Sequence, residues 1–296
     1  MDIWIQHGVN ALSLGGTYAL LALGLAIVWS VVGLVNFAHG DLMTITGYTL
    51  YFILAAGLGI EFAVLAAIPV TILAAMTMER VAFRPVRNTN YSTTLLTSFA
   101  VSAILQVAFQ NLISARPQTI VTPSALTRIV EIAGIQVGML QITSIGVTIV
   151  MLIALSLFIR KSVYGMAMRA AAENFSVTRL MGVRANSVIA VTFALSGLLA
   201  GVAAVLWIAQ RSSVDPLMGS VPVLKAFIAV VVGGLGRLSG AVVGGFFLAA
   251  VEIALRAGLP IEWADYRDAI ALFIVIMVLV VRPDGLLGAG RQTVIR

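Results

Sequence analysis

The sequence contains no cysteine. That excludes a disulfide framework and thiolate chemistry. It holds only two histidines, His7 and His39, which stand far apart and in no H-E-x-x-H arrangement. A zinc site needs three or four ligands, so none is expected. No G-x-x-x-x-G-K-[ST] occurs, which excludes ATP hydrolysis by a P-loop. "GGLGRLSG", Gly233–Gly240, resembles a phosphate loop, but Ser239 stands where the third glycine should be, and apolar runs flank it. Ser30, His39 and Asp41 make a nucleophile–base–acid set on paper that nothing else supports. No catalytic residue is assigned, and the chain is expected not to be an enzyme.

Charge is also scarce. Only 10% of the 296 residues are charged, against about one-quarter in an ordinary soluble domain. A soluble core of this size needs more charged surface than that. What fills the chain instead is 60% hydrophobic residues, with mean hydropathy +1.07. The composition predicts an all-α, polytopic transmembrane helical bundle, a single domain over residues 1–296. The net charge of +6 reads as Lys and Arg held in cytoplasmic loops, with no nucleic-acid partner.

A crossing helix needs about 20 apolar residues. Nine runs are candidates: Val9–Val32, Leu42–Gly57, Phe62–Met78, Ser92–Ile113, Ile142–Ile159, Ser187–Ala209, Val221–Leu235, Ala241–Leu255 and Ala264–Val281. Two are short, so the expectation is about eight or nine spans. The opening "MDIWIQHGVN" has no Lys or Arg and lacks the basic n-region and cleavage site of a secretory signal. The first span is read as retained, with its start outside. Alternation then places 79–91, 160–186, 236–240 and 282–296 inside. Those segments carry twelve of the 18 Lys and Arg, as the positive-inside rule requires. The C-terminus falls in the cytoplasm. Between Ser114 and Gln141, "TRIVEIAGIQVGML" alternates and reads as a short hairpin or extended periplasmic cap.

Polar groups inside apolar spans default to functional candidates. In "GLVNFAHGDL", Asn36, His39 and Asp41 lie within six residues. The stretch lies either at the cytoplasmic ends of the first two spans or folded back into the membrane. Asn36, His39 and Lys225 are the candidate translocation-path residues, and Asp41 is read as a cap for a helix starting near Leu42. Glu252 is read as the i,i+4 partner of Arg256. Pro222 and the glycines of 233–240 bracket a short helix, Val223–Val232, of the interrupted kind that lines transport sites. "GLVNFAHG" and "GGLGRLSG" begin with glycines 200 residues apart, which suggests an internal repeat. Gly197 with Gly201, and Gly236 with Gly240 and Gly244, form small-xxx-small ladders expected to pack against other helices.

The segment Arg160–Asn186, "RKSVYGMAMRAAAENFSVTRLMGVRAN", is polar and well punctuated. "MAMRAAAE" is strongly helix-forming. Asn174 suits an N-cap, Phe175–Met181 a second short helix, and Gly182 its left-handed stop. A solvated linker needs no such punctuation, whereas an element that docks on a partner does.

The pattern R-A-x-A-E-N, then M-G-V, resembles the coupling segment of permeases of bacterial branched-chain amino acid importers driven by ATP-binding cassettes. "GGTYALLALGLAIVWSVVGLVNFAHGDL", "ERVAFRPVR", "PLMGSVPVLKAFIAVVVGGLGRLSGAVVGG" and "VRPDGLLG" are similar to further blocks of that family, together running from Gly15 to Gly288. The chain looks like the shorter of the two permeases of such systems. The resemblance implies a heterodimer with a homologous second permease, two cytoplasmic ATPase subunits that hold ATP and Mg, a periplasmic solute-binding protein, and a bacterial inner-membrane location amid lipid. This chain itself would bind no cofactor. Ala172, Glu173, Asn174, Phe175, Leu180, Met181 and Gly182 would couple to one ATPase. The solute would be a branched-chain or other small amino acid. Permeases for urea, short-chain amides or aromatic acids are the alternative, and a stand-alone channel for a small solute is the reading from another class.

Overall fold

In a computed structural model of the chain, the described residues are 2–287, apart from 88, 122, 124, 125, 133 and 134. The last glycine of the "VRPDGLLG" block and the C-terminal tail, 288–296, lie outside them. The elements are α1 (Asp2–Val32), α2 (His39–Ala55), α3 (Ile60–Met78), a π-turn (Glu79–Phe83), α4 (Arg84–Val86), α5 (Tyr91–Leu112), β1 (Gln118–Thr119), β2 (Ile129–Ile132), β3 (Ile135–Gly138), α6 (Met139–Lys161), α7 (Val163–Glu173), α8 (Phe175–Leu180), α9 (Ala185–Arg211), β4 (Ser213–Val214), α10 (Ser220–Gly233), α11 (Leu238–Gly258), a 3-10 turn (Ile261–Tyr266) and α12 (Arg267–Val281). The nine apolar runs all fold as helices. Six of these are long and apolar enough to cross a membrane. The other three, α2, α10 and α12, have 17, 14 and 15 residues. The chain is a polytopic helical membrane protein.

The two ends of the bundle are marked by different structures. One carries the antiparallel β2–β3 hairpin, with Val130 opposite Val137, as the alternation of "TRIVEIAGIQVGML" predicts. Gln141 donates to Asn10 at 2.5 Å there, fixing the start of α6 to α1. The other end carries the α7–α8 elbow. Between them, α1 and α9 form a central antiparallel pair: the Tyr18 and Trp207 rings lie tilted with centroids 6.4 Å apart, and Gly24 lies level with Ser196. Most of α1 and α9 is buried within the chain, whereas α3, α5 and α6 are largely exposed. Their apolar outer faces are for lipid or for another subunit, because no hydrophobic force buries them in a bilayer.

The halves of the chain repeat with inverted direction. Gly33 and Ser212 both have left-handed backbones, φ 75° and 54°, and both follow the last residue of a long central helix, Val32 of α1 and Arg211 of α9. They are 179 residues apart, as are Gly40 and Gly219, and the left-handed Gly57 and Gly236. Each long helix is thus followed by a non-helical descent, a short helix and a longer one. The longer helix then packs antiparallel on the opposite repeat: α3 on α9 through Thr71, Ala75 and Gly197, and α11 on α1 through Gly245 and Ala19. The glycine match at a spacing of 200 is therefore not the repeat register. "GLVNFAHG" corresponds to "SSVDPLMG", Ser212–Gly219, instead.

Glycine packing follows the sequence expectation at four of five positions. A Cβ on Gly197 would lie 2.7 Å from the Ala75 Cβ, one on Gly201 would touch Thr71 at 3.5 Å, and one on Gly240 would lie 2.5 Å from the Gly233 carbonyl oxygen. A Cβ on Gly244 would overlap the Ala229 carbonyl. Gly236 is different. It sits at φ 89° with nothing nearby, so it is a turn glycine that follows α10.

Candidate translocation site

The stretch 33–38 folds back into the bundle. From the end of α1 it climbs past α3, where Asn36 Nδ2 meets Met78 Sδ at 3.7 Å. Its last residues close three tight turns: His39 N–H to Asn36 O, Gly40 N–H to Phe37 O, and Asp41 N–H to Ala38 O. Irregular backbone at this depth needs protein around it, and Asn36, His39 and Asp41 are all buried. From the opposite end, 212–219 descends along α2, with Val214 and Met218 against Gly47. The two descents meet where Gly40 and Gly219 touch backbone to backbone, and a Cβ on either would overlap the other's carbonyl. From this contact α2 runs toward the hairpin end. In the opposite direction α10 runs to the elbow end, where Gly233 packs on Gly240. Two short helices thus begin at one point inside the bundle, with their positive dipole ends together.

A cavity of 370 Å³ opens at this point. Phe37, Gly40 and Asp41 form one side, Phe99, Ser102, Ala103 and Gln106 of α5 another, and Gly219, Ser220, Val223 and Leu224 the third. Phe37 stacks on Phe99 with centroids 4.5 Å apart and lies 5.4 Å from Phe227. Gln106 Nε2 lies 3.3 Å from Asp41 Oδ1, 3.0 Å from Ser102 Oγ and 3.3 Å from Ser220 Oγ. Asp41 Oδ2 has no hydrogen-bond partner among the described residues.

Asp41 is not the predicted cap. The helix starts two residues earlier, the N-cap position is Ala38, and no side chain caps it. The tight turns of 36–38 already engage the N–H groups of residues 39–41. Asp41 lies within the first turn, where the helix dipole favours its charge, and its side chain lines the cavity.

The three path candidates lie elsewhere. His39 is fully buried; its Nδ1 lies 3.0 Å from Ser196 Oγ, and its ring fills the space above Gly24. It ties α2 to α1 and α9. Asn36 faces α3. Lys225 points away from the cavity, into an ion network. Its Nζ lies 2.7 Å from Glu252 Oε1 and 3.1 Å from Asp268 Oδ1. The Tyr18 hydroxyl donates to Glu252 Oε2 at 3.0 Å. This network joins α1, α10, α11 and α12. Glu252 thus pairs with Lys225 across helices and not with Arg256 along its own. None of Asn36, His39 and Lys225 lines the cavity; Asp41, Gln106 and Phe37 do.

The elbow follows its sequence punctuation. Ser162 caps α7 by accepting from Gly165 N at 2.8 Å. Asn174 Oδ1 caps α8 by accepting from Val177 N at 3.0 Å. Gly182 takes φ 84° after the last turn. Gly165 packs directly on the carbonyls of Phe158 and Ile159, and Arg169 donates to the Ile159 carbonyl. Met168 and Ala171 are buried, and Phe175 packs on the core. Arg87 Nη2 donates to Asn186 Oδ1 at 2.6 Å, holding the α4 turn to the start of α9. The outer face of the elbow shows Leu180 and Met181, 86% and 79% exposed.

Inverted halves, a pair of helices broken at mid-bundle and a lined cavity where they meet define a membrane permease of the inverted-repeat kind. The model of the family described as "Branched-chain amino acid transport system / permease component" matches residues 8–280, and the chain belongs to that family. It is 35% identical to the high-affinity branched-chain amino acid transport system permease protein BraD of Pseudomonas aeruginosa, over 96% of both chains. It is 34% and 33% identical to the LivH permease proteins of Salmonella typhimurium and Escherichia coli K12, again over 96% of each chain. No solved structure matches it. The chain is a permease subunit and not an enzyme.

Proposed function

We propose that this chain is one of two homologous permease subunits of an ATP-driven importer in the bacterial inner membrane, carrying branched-chain or other small amino acids. A separate periplasmic binding protein delivers the solute at the hairpin end. Two ATPase subunits, holding the ATP and Mg, dock at the elbow end in the cytoplasm. In this arrangement the N-terminus lies outside and the C-terminus inside. All nine apolar helices take part in crossing the membrane, with α2 and α10 each contributing part of a passage. The second permease covers the exposed face of α5 and closes the open cavity into a path.

The elbow carries this reading. Closure of the ATPases can reorient the helices only through a rigid element tied to them. The α7–α8 pair is capped at both helix starts, packed on α6, and presents Leu180 and Met181 outward. A stand-alone channel has no use for such an element. Ala172, Glu173, Asn174, Phe175, Leu180, Met181 and Gly182 form or support the docking corner. Deleting Glu173–Gly182 will leave an inserted protein that no longer retains the ATPase during purification. Co-purification of the ATPase with the deletion protein at full yield sinks the docking assignment.

A further inference from the structure

We propose that the cavity at the Gly40–Gly219 contact is a solute site within the permease, in which Asp41 receives the ammonium group of an α-amino acid and the Phe37–Phe99 wall receives its apolar side chain. This rests on the importer reading above. It goes further by naming the chemical class the membrane path recognises, independently of the binding protein.

Three observations converge. First, Asp41 is 2% exposed and sits on the cavity wall with Oδ2 unpartnered. A buried carboxylate with an open acceptor is costly unless a cation or donor completes it. Asp41 takes no Lys or Arg partner in a described ion pair, so a cationic group from outside the protein is the fitting complement. Second, Gln106 holds the other oxygen, Oδ1, and in the same fan reaches Ser102 and Ser220. That holds the carboxylate beside the cavity and leaves Oδ2 buried and without a partner among the described residues. Third, the rest of the lining is apolar and aromatic: Phe37 against Phe99, with Val223 and Leu224. A few placed polar groups in an apolar pocket are the pattern of a small-molecule site.

The first turn of α10 adds the complement for the other charge. Ser220 opens that helix on the cavity wall, and a 14-residue helix presents its positive end there. A carboxylate is favoured at such an end. Ammonium at Asp41, carboxylate at the start of α10 and a hydrocarbon side chain on the aromatic wall describe an apolar zwitterionic amino acid. A neutral amide can donate an N–H to Asp41 but leaves its charge unbalanced, and an aromatic acid places its anion beside it.

The absence of cysteine makes the test direct. Ala103 lines the cavity without contributing a polar group, so Ala103→Cys gives this chain one labelling site. The assembled importer, solubilised without its binding protein, is treated with a methanethiosulfonate reagent, and labelling is read on this chain after separation from its partners. Millimolar L-leucine will slow labelling several-fold. Isopentylamine, which keeps the ammonium, will slow it too. 4-Methylpentanoate, which keeps only the carboxylate, will not. In Ala103→Cys/Asp41→Asn the protection by leucine will vanish, with retention of the ATPase checking that the variant folds. If that variant does not assemble, the analogue series on Ala103→Cys alone decides. Equal protection by 4-methylpentanoate, or full protection in the Asp41→Asn background, overturns the proposal. If the unlabelled wild-type importer drives leucine uptake with ATP while leucine leaves the labelling of Ala103→Cys unchanged, the site is wrong and the importer reading stands. If no ATP-driven leucine uptake occurs, the importer reading itself fails.

Discussion

Gly40 and Gly219 touch through their backbones, and neither can carry a Cβ without overlapping the other's carbonyl oxygen. The contact lies 179 residues apart in sequence and is the point from which α2 and α10 depart in opposite directions. Two descents into the bundle, two helix starts and a cavity beside them follow from it.

Substitution at this contact tests the fold. Gly219→Ala and Gly40→Ala force backbone apart from backbone, and overpacking of this kind costs about 1–3 kcal/mol. Melting of the solubilised protein will fall by about 2–4 °C for each kcal/mol lost. Gly8→Ala, inside α1 with nothing within 4 Å of its Cβ position, will not lower it.

The Lys225 network tests how charge is held between helices. Removing one partner of a buried pair costs about 3–5 kcal/mol, because the other charge is stranded. Lys225→Met will strand Glu252, only 6% of whose side chain is exposed, and will lower stability by that order. The double variant Lys225→Met/Glu252→Leu will recover most of the loss. Asp268→Asn will matter little, because Asp268 is largely exposed and exposed pairs contribute about 0–1 kcal/mol. A double-mutant cycle by thermal unfolding reads all three.

His39 is a path candidate by sequence and a packing residue in the structure. His39→Ala removes a fully buried ring from above Gly24 and leaves Ser196 without its partner. Losses of about 2 kcal/mol or more are expected from such a cavity. Transport will drop with stability, and leucine will still protect Ala103→Cys from labelling. Loss of that protection with melting unchanged would return His39 to the path.

At the elbow, fold and docking separate. Asn174→Ala removes the cap of α8 and will cost about 1 kcal/mol. Leu180→Ser with Met181→Ser changes only exposed side chains, so melting will hold while ATPase retention falls. Retention at the wild-type level would remove these residues from the docking face.

Much of this is legible in the sequence. Nine apolar runs become nine helices, because a bilayer demands long apolar segments with internally bonded backbone. The elbow is legible through Ser, Asn and Gly at the positions that end and start helices. The inverted repeat is not, because what the halves share is backbone geometry. Gly33 corresponds to Ser212, and both adopt positive φ, though the residue types differ. Asp41 reads as a cap because a carboxylate at a helix start has two uses, and only the tight turns of 36–38 decide between them. Glu252 reads as paired with Arg256 because helix spacing is visible in sequence, while Lys225 approaches from another helix. Gln106 carries no signal at all: it is a lone amide in an apolar run, and its partners outside α5 come from α2 and α10.

On the proposed function, solute crosses past the Gly40–Gly219 contact under the control of ATP. The direct measurement is uptake of labelled L-leucine into proteoliposomes, comparing the complete importer with this chain alone. Uptake will require ATP, the ATPase subunits, the second permease and the binding protein, and will fall at least tenfold in Asp41→Asn while the complex still assembles. Leucine uptake by this chain alone without ATP would contradict it.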